Sequence, residues 1–291
     1  MNLSEIKINP DSQSRRTGVF PIMTAAEYAD IKYEVPYVFE ISLADKRLVY
    51  FGASHSRNPE DPMFEQIETE FNTTRPDVVL VEGVHTLEER LNQIKEWFPG
   101  KSREEIINQT GEPGYALSLA LQNNVDVYSP EPALRDEISD LLQKGFSQEE
   151  IFAFYFAGQV PHYQQMKTKP EFGEHIKQFL NEFKSATSWE SFEFTTENFS
   201  RLSERLWGVK FNPDTTDYED MIDPIPWKEK KDVQGVSNAI SRESSYFRDT
   251  YMVQEIQKLM KTHKKMFVVF GASHAVMQEP AIRKLFDEES S

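Results

Sequence analysis

The chain has no cysteine. Disulfides, thiolate catalysis and cysteine-ligated zinc are therefore excluded, and any metal would have to be held by His, Asp, Glu or water. Positive charge is scarce: 32 Lys and Arg stand against 48 Asp and Glu, a formal net charge of -16. A surface of that sign repels phosphate backbones and anionic membranes, so no nucleic-acid partner is expected. The same surplus also serves simply to keep a protein soluble. Long apolar runs are missing too, and none approaches the length of a membrane span. Residues 1–17 are polar and lack the apolar stretch of a secretory signal. The expectation is a cytoplasmic protein with no membrane partner.

What the sequence does contain is enough for a packed core. Hydrophobic residues make up 38% and aromatics 12% of 291 positions, which is a globular composition rather than a disordered one. Residues 1–30 read as a polar leader with some ordered pieces. Tyr37–Ile41 alternates and is rich in strand formers, and Arg47–Phe51 follows after a short polar break. Residues 36–51 thus predict a hairpin. Met63, Phe64, Ile67 and Phe71 have helical spacing over 61–74, and Val78–Val81 is the continuous β-branched run of a buried parallel strand. Residues 47–83 therefore predict a βαβ unit. A helix is expected over 86–97, a break at Gly111–Gly114, a helix over 115–121 and a short strand over 125–128.

Helices are expected to dominate from about 133 to 207, with N-termini at Ser147 and Thr195. The aromatic run Phe152, Phe154, Tyr155, Phe156 reads as their core, with a pocket lining as the alternative. Residues 208–236 carry Pro213, Pro224 and Pro226 and predict a long loop of the kind that covers sites or is plain insertion. A helix over 241–260, a strand over 265–270 and a last helix over about 277–287 complete the chain. The fold class is α/β: a pseudo-duplicated mixed sheet flanked by helices, forming one domain over 1–291. Its core spans 34–132 and 237–291, with a helical insertion over about 133–235.

One pentapeptide occurs twice. Phe-Gly-Ala-Ser-His closes an apolar strand at Phe51–His55 and again at Phe270–His274. The carboxyl ends of strands are where open α/β sheets bind ligands. Gly52 and Gly271 would let the backbone turn and approach a ligand, while Ala53, Ser54, Ala272 and Ser273 leave room. His55 and His274 would then project at the sheet edge, where imidazole acts as base or ligand. Glu82 ends a neighbouring strand. Two His and one carboxylate are a familiar set for a hydrolytic metal, and His55, Glu82 and His274 are the candidate ligands. As the bland alternative, both histidines are ordinary turn residues.

These residues resemble the Tiki/TraB/GumN/PrgY superfamily, which also embraces erythromycin esterases and ChaN-like haem-binding proteins. The resemblance rests on Gly52-Ala53-Ser54-His55, Gly271-Ala272-Ser273-His274 and Val79–Gly83. Gly111–Gly114 with the helix after it, and Arg248-Asp249, add to it. It covers about 47–132 and 243–287; the helical middle carries none. It implies a single domain in which the two Gly-x-x-His motifs meet. It also implies a hydrolase cleaving a peptide or ester bond of a small-molecule or peptide substrate, with manganese, cobalt or zinc as the divalent ion. The alternatives are a metal-free esterase-like hydrolase, or a haem- or ligand-binding protein without turnover. In the family pattern Glu112 is a second site carboxylate and Arg248 binds a substrate carboxylate or an oxyanion.

On residue chemistry alone, Glu112 is equally a turn residue before a helix, and Arg248 equally an ordinary salt-bridge partner. Glu131 reads rather as a helix N-terminal carboxylate than as a site residue. A serine nucleophile at Ser54 or Ser273 is disfavoured, because neighbouring residues rarely reach each other's side chains. His85 is close enough to Glu82 in sequence to reach the site, whereas His162, His175 and His263 read as surface residues. With both key histidines at strand ends, replacing either is expected to abolish turnover at little cost in stability.

Overall fold

Lys46 to Ala53 and Lys265 to Gly271 are apolar almost throughout, and both are covered on two sides, as continuous hydrophobic strands must be. In the computed structural model, which describes residues 20–83, 96–166, 168–224 and 235–289, they lie side by side in a five-stranded mixed sheet. The strands are β1 (Tyr37–Leu43), β2 (Lys46–Ala53), β3 (Val78–Val81), β4 (Asp126–Tyr128) and β5 (Lys265–Gly271). The order is β1-β2-β5-β3-β4. The expected hairpin is present, with Tyr37 opposite Gly52 in the antiparallel β1–β2 pair. All other pairs are parallel. β3 does not neighbour β2; the last strand in the chain is inserted between them.

Side-chain alternation divides the sheet into two apolar faces. On one face Val49, Phe51, Val79, Phe267 and Val269 meet α2 (Met63–Thr74) and α3 (Arg103–Gln122). On the other Leu48, Tyr50, Leu80, Val268 and Phe270 meet α10 (Val236–Leu259) and α11 (Ala272–Glu289). Phe20 and Ile22 join the second face, and Met23 donates its N–H to the Met277 carbonyl. The short α1 (Ala25–Tyr28) follows, capped by Thr24 and Glu27.

The helical middle builds its own core. α4 (Leu134–Gln143), α5 (Gln148–Ala157), α6 (Gln159–Gln164), α7 (Phe172–Ala186), α8 (Thr196–Trp207) and α9 (Glu219–Ile222) surround Phe152, Phe156, Phe183, Phe199 and Tyr218. Phe156 stacks on Phe199 with ring centroids 3.9 Å apart. The aromatic run is thus core, as read. Ser147 forms a capping box with Glu150, and Thr195 caps α8, so both expected N-termini are real.

Three expectations shift. The loop over 208–236 contains α9, and its described part packs Val209, Phe211 and Tyr218 onto the insertion core rather than over a site. α10 begins at Val236, not 241, and α11 at Ala272, not 277. Gly111 does break the helix, but only as a kink inside α3, which starts at Arg103 on a Ser102–Glu105 capping box. The helix expected over 86–97 falls mostly outside the described residues. Among the described residues no helix is long and apolar enough to cross a membrane.

Candidate active site

The identical pentapeptides are not in identical settings, and pairing register is the reason. In the parallel β2–β5 ladder Phe51 lies opposite Val269, and Gly52 opposite Phe270. The repeats are offset by one residue, and such an offset turns every side chain to the other face. Phe51 therefore belongs to the α2–α3 core and Phe270 to the α10–α11 core. The two chain segments leave the same sheet edge on opposite sides. His55 meets α3 and His274 meets α10.

Glu112 is delivered to His55 by the kink at Gly111, whose φ of 64° suits glycine. Glu112 is 3% exposed; its Oε1 lies 2.7 Å from His55 Nδ1 and its Oε2 accepts the Ser56 N–H at 3.3 Å. A carboxylate only accepts, so the ring proton sits on Nδ1 and Nε2 is left for chemistry. The hydrogen bond that His55 donates to Glu112 raises its pKa against the opposing effect of burial, and the charge of Glu82 adds to it. The ring itself is open, its side chain 72% exposed.

His274 stands in the first turn of α11 and is 13% exposed. Its Nδ1 lies 2.6 Å from Asp249 Oδ1. Burial disfavours the imidazolium, but the Asp249 charge and hydrogen bond outweigh it and raise the pKa, with a smaller contribution from Glu82. Asp249 is fully buried. Its Oδ1 also accepts from Gln278 Nε2 at 2.7 Å, while its Oδ2 has no hydrogen-bond partner among the described residues.

Glu82 lies between the two pairs. Its Oε2 accepts the Gly271 N–H at 2.9 Å, and Arg248 stands 4.0 Å from its Oε1. Arg248 in turn binds Glu131 Oε1 at 2.5 Å. Burial works against the guanidinium charge, and Glu131, Glu137 and Glu82 more than restore it. Glu131 also accepts the Gly83 N–H at 2.6 Å, so it faces the crevice. This overturns its reading as a helix N-terminal carboxylate; Ala133 caps α4 and no side chain bonds there. Glu112 is a partner of His55, and Arg248 belongs to the Glu82–Glu131 cluster.

The glycines work differently from expectation. Neither Gly52 nor Gly271 has a positive φ, so neither makes a sharp turn. A Cβ on Gly52 would lie 2.8 Å from Ala275 Cβ and from the Tyr37 carbonyl, and 2.9 Å from Ala272 Cα. Its missing side chain lets α11 close onto the sheet. A Cβ on Gly271 would lie 3.4 Å from His55 Nε2 and 3.6 Å from Glu82 Oε2, ordinary contact distances. This glycine keeps open the space between an imidazole and a carboxylate. Gly52→Ala is expected to lose about 1–3 kcal/mol in urea denaturation through overpacking. Gly271→Ala should stay within about 1 kcal/mol of the parent, yet fill the space that His55 and Glu82 share.

Ser54 Oγ is directed at Met63 Sδ, 3.5 Å away, and not at an imidazole. His85 lies outside the described residues. His162 is exposed, whereas His175 lies 5.2 Å from the Tyr163 ring and His263 lies 3.6 Å from Asp126, both half-buried. Two concavities are lined by neither motif histidine, one between Val38, Phe51 and α2, the other along β4 beside Leu259 and His263.

A carboxylate on Nδ1 is how metal-binding imidazoles are commonly oriented. Yet among the described residues no three His, Asp or Glu side chains come together closely enough to hold an ion. The expected ligand set of His55, Glu82 and His274 is not gathered into one cluster among the described residues; each histidine holds its own buried acid at Nδ1. Among the described residues the arrangement forms no shared site for a manganese, cobalt or zinc ion. It fits proton transfer by two separate imidazole–carboxylate pairs. Asp249, noted in the sequence only beside Arg248 and given no role there, is the acid that pairs with His274. Comparison of the chain with protein-family models, curated proteins and solved structures found no match.

Proposed function

We propose that the protein is a hydrolase of the Tiki/TraB type that activates water with two imidazole–carboxylate pairs and cleaves a peptide or ester bond. One observation carries this reading. Both histidines of the repeated motif hold a buried carboxylate at Nδ1, at 2.7 and 2.6 Å, which leaves Nε2 of each ring as the nitrogen available for proton transfer.

His55 Nε2, beside Glu82 over the open face of Gly271, takes a proton from water as the oxygen attacks the carbonyl carbon. Glu112 stabilises the imidazolium that forms. Arg248, fixed in place by Glu131 and beside Glu82, stabilises the developing oxyanion. His274, whose proton affinity Asp249 raises against its burial, acts in its protonated form and gives its Nε2 proton to the leaving alkoxide or amine. Solvent then removes the proton from His55 and restores that on His274.

The test is turnover of a panel of activated esters and short peptides, with and without chelator. His55→Ala is expected to lower kcat/KM by at least about a hundredfold, and EDTA to leave the parent unaffected. Activity lost to EDTA and restored by manganese, cobalt or zinc would move the protein to the metal-dependent branch. Full activity in both His55→Ala and His274→Ala would sink the reading.

A further inference from the structure

A buried amide stands behind the second pair. Gln278 follows His274 by one turn of α11 and is fully buried. Its Nε2 donates to Asp249 Oδ1 at 2.7 Å and approaches Met252 Sδ at 3.5 Å; its Oε1 accepts from Tyr50 Oη at 3.1 Å. The chemistry fixes which way the amide faces. Asp249 only accepts, so the NH2 must point to it. Tyr50 is fully buried in β2, and burial, then the charges of Asp249, Glu82 and Glu131, hold its phenol protonated well above the ordinary range. It is thus a donor, and the amide oxygen must face it.

The result is a one-way chain: Tyr50 to Gln278, Gln278 to Asp249, with Asp249 Oδ1 shared by the His274 Nδ1–H. Asp249 Oδ2 has no hydrogen-bond partner among the described residues, so beyond His274 the carboxylate needs a second anchor. Gln278 supplies it. Without that anchor the carboxylate is free to turn about its last bond, and His274 loses the fixed acceptor that selects its tautomer.

We infer that Gln278 is a positioning residue that locks Asp249 and thereby holds His274 as the Nδ1–H tautomer, Tyr50 orienting the amide from the sheet. The inference rests on the hydrolase reading for its consequence in catalysis, but not for its structural content. Nothing in it involves His55, whose acid is held by a different helix. The two copies of the repeat therefore differ in support as well as in exposure: Glu112 is anchored by the Ser56 N–H, Asp249 by a side-chain relay.

The experiment uses the full chain labelled with 15N-histidine, at a pH where His274 is neutral. Its resonances are assigned by their loss in His274→Gln. The parent is expected to show Nδ1–H. Gln278→Met keeps the length and removes both hydrogen bonds; it should show a mixture with Nε2–H and a kcat lower by about tenfold or more, with KM unchanged. Tyr50→Phe should move the same way by less. A purely structural Gln278 would lower the denaturation midpoint in Gln278→Met while His274 stayed wholly Nδ1–H, and that outcome overturns the inference. Should Gln278→Met fail to fold, an unchanged tautomer in Tyr50→Phe overturns it equally. A tautomer that responds while the parent turns over no ester or peptide would support this inference and sink the hydrolase reading alone.

Discussion

Asp249→Asn is expected to fold normally and to lose about a thousandfold in kcat. The carboxylate makes both its bonds through Oδ1, to His274 Nδ1 and Gln278 Nε2. An amide in the same place has two orientations, and both fail. With the carbonyl oxygen towards the ring, the Nδ1–H bond survives but the negative charge is gone. A 13% exposed imidazole without its anion does not hold a proton near neutrality. With the NH2 towards the ring, Nδ1 must accept, the ring proton moves to Nε2, and the same NH2 opposes the donor on Gln278. Steady-state kinetics across pH, beside circular dichroism to show an intact fold, checks this. Retention of more than about a third of the parent kcat would mean that the second pair does no chemistry and that only His55 and Glu112 matter.

The strands and their ends were legible in sequence because hydrophobic runs and glycines are local signals. The apolar runs before each Gly-Ala-Ser-His predicted β2 and β5, and helical spacing at Met63, Phe64, Ile67 and Phe71 predicted α2. Register was not legible. Nothing within either pentapeptide says that Phe51 pairs with Val269 rather than with Phe270, because pairing is decided by what the two faces must bury. That single offset determines which acid each histidine meets. Glu112 lies 57 residues from His55 and Asp249 lies 25 from His274, and contacts at such separations leave no periodic trace. Glu131 misled for a related reason. A carboxylate before a helix has a sufficient local explanation, so its long-range partners, Gly83 and Arg248, were invisible. Gln278 carried no signal at all, since an amide in an amphipathic helix ordinarily faces water.

The same asymmetry separates the stability of two substitutions that sequence alone treats as equivalent. His55→Ala is expected to change unfolding free energy by no more than about 1 kcal/mol, because the ring is 72% exposed and water can replace it at Glu112. His274→Ala should cost about 3 kcal/mol. It strands a carboxylate that is fully buried, one of whose oxygens is already without a partner, and leaves it with Gln278 as its only donor among the described residues. Urea midpoints at constant slope measure both. A sign follows for pH. Both histidine pKa values are raised in the folded protein, so their contribution to stability is complete below the unfolded value, about 6.5, and is lost as pH rises through the folded values. Parent stability should therefore fall as pH rises from about 6.5 through the folded values. The fall should be visibly smaller in Asp249→Asn, where no anion favours the buried imidazolium. A parent whose urea midpoint is flat or rising across that interval would show that the histidines gain no proton affinity on folding, and the pairing of His274 with Asp249 would have to be abandoned as an ionic one.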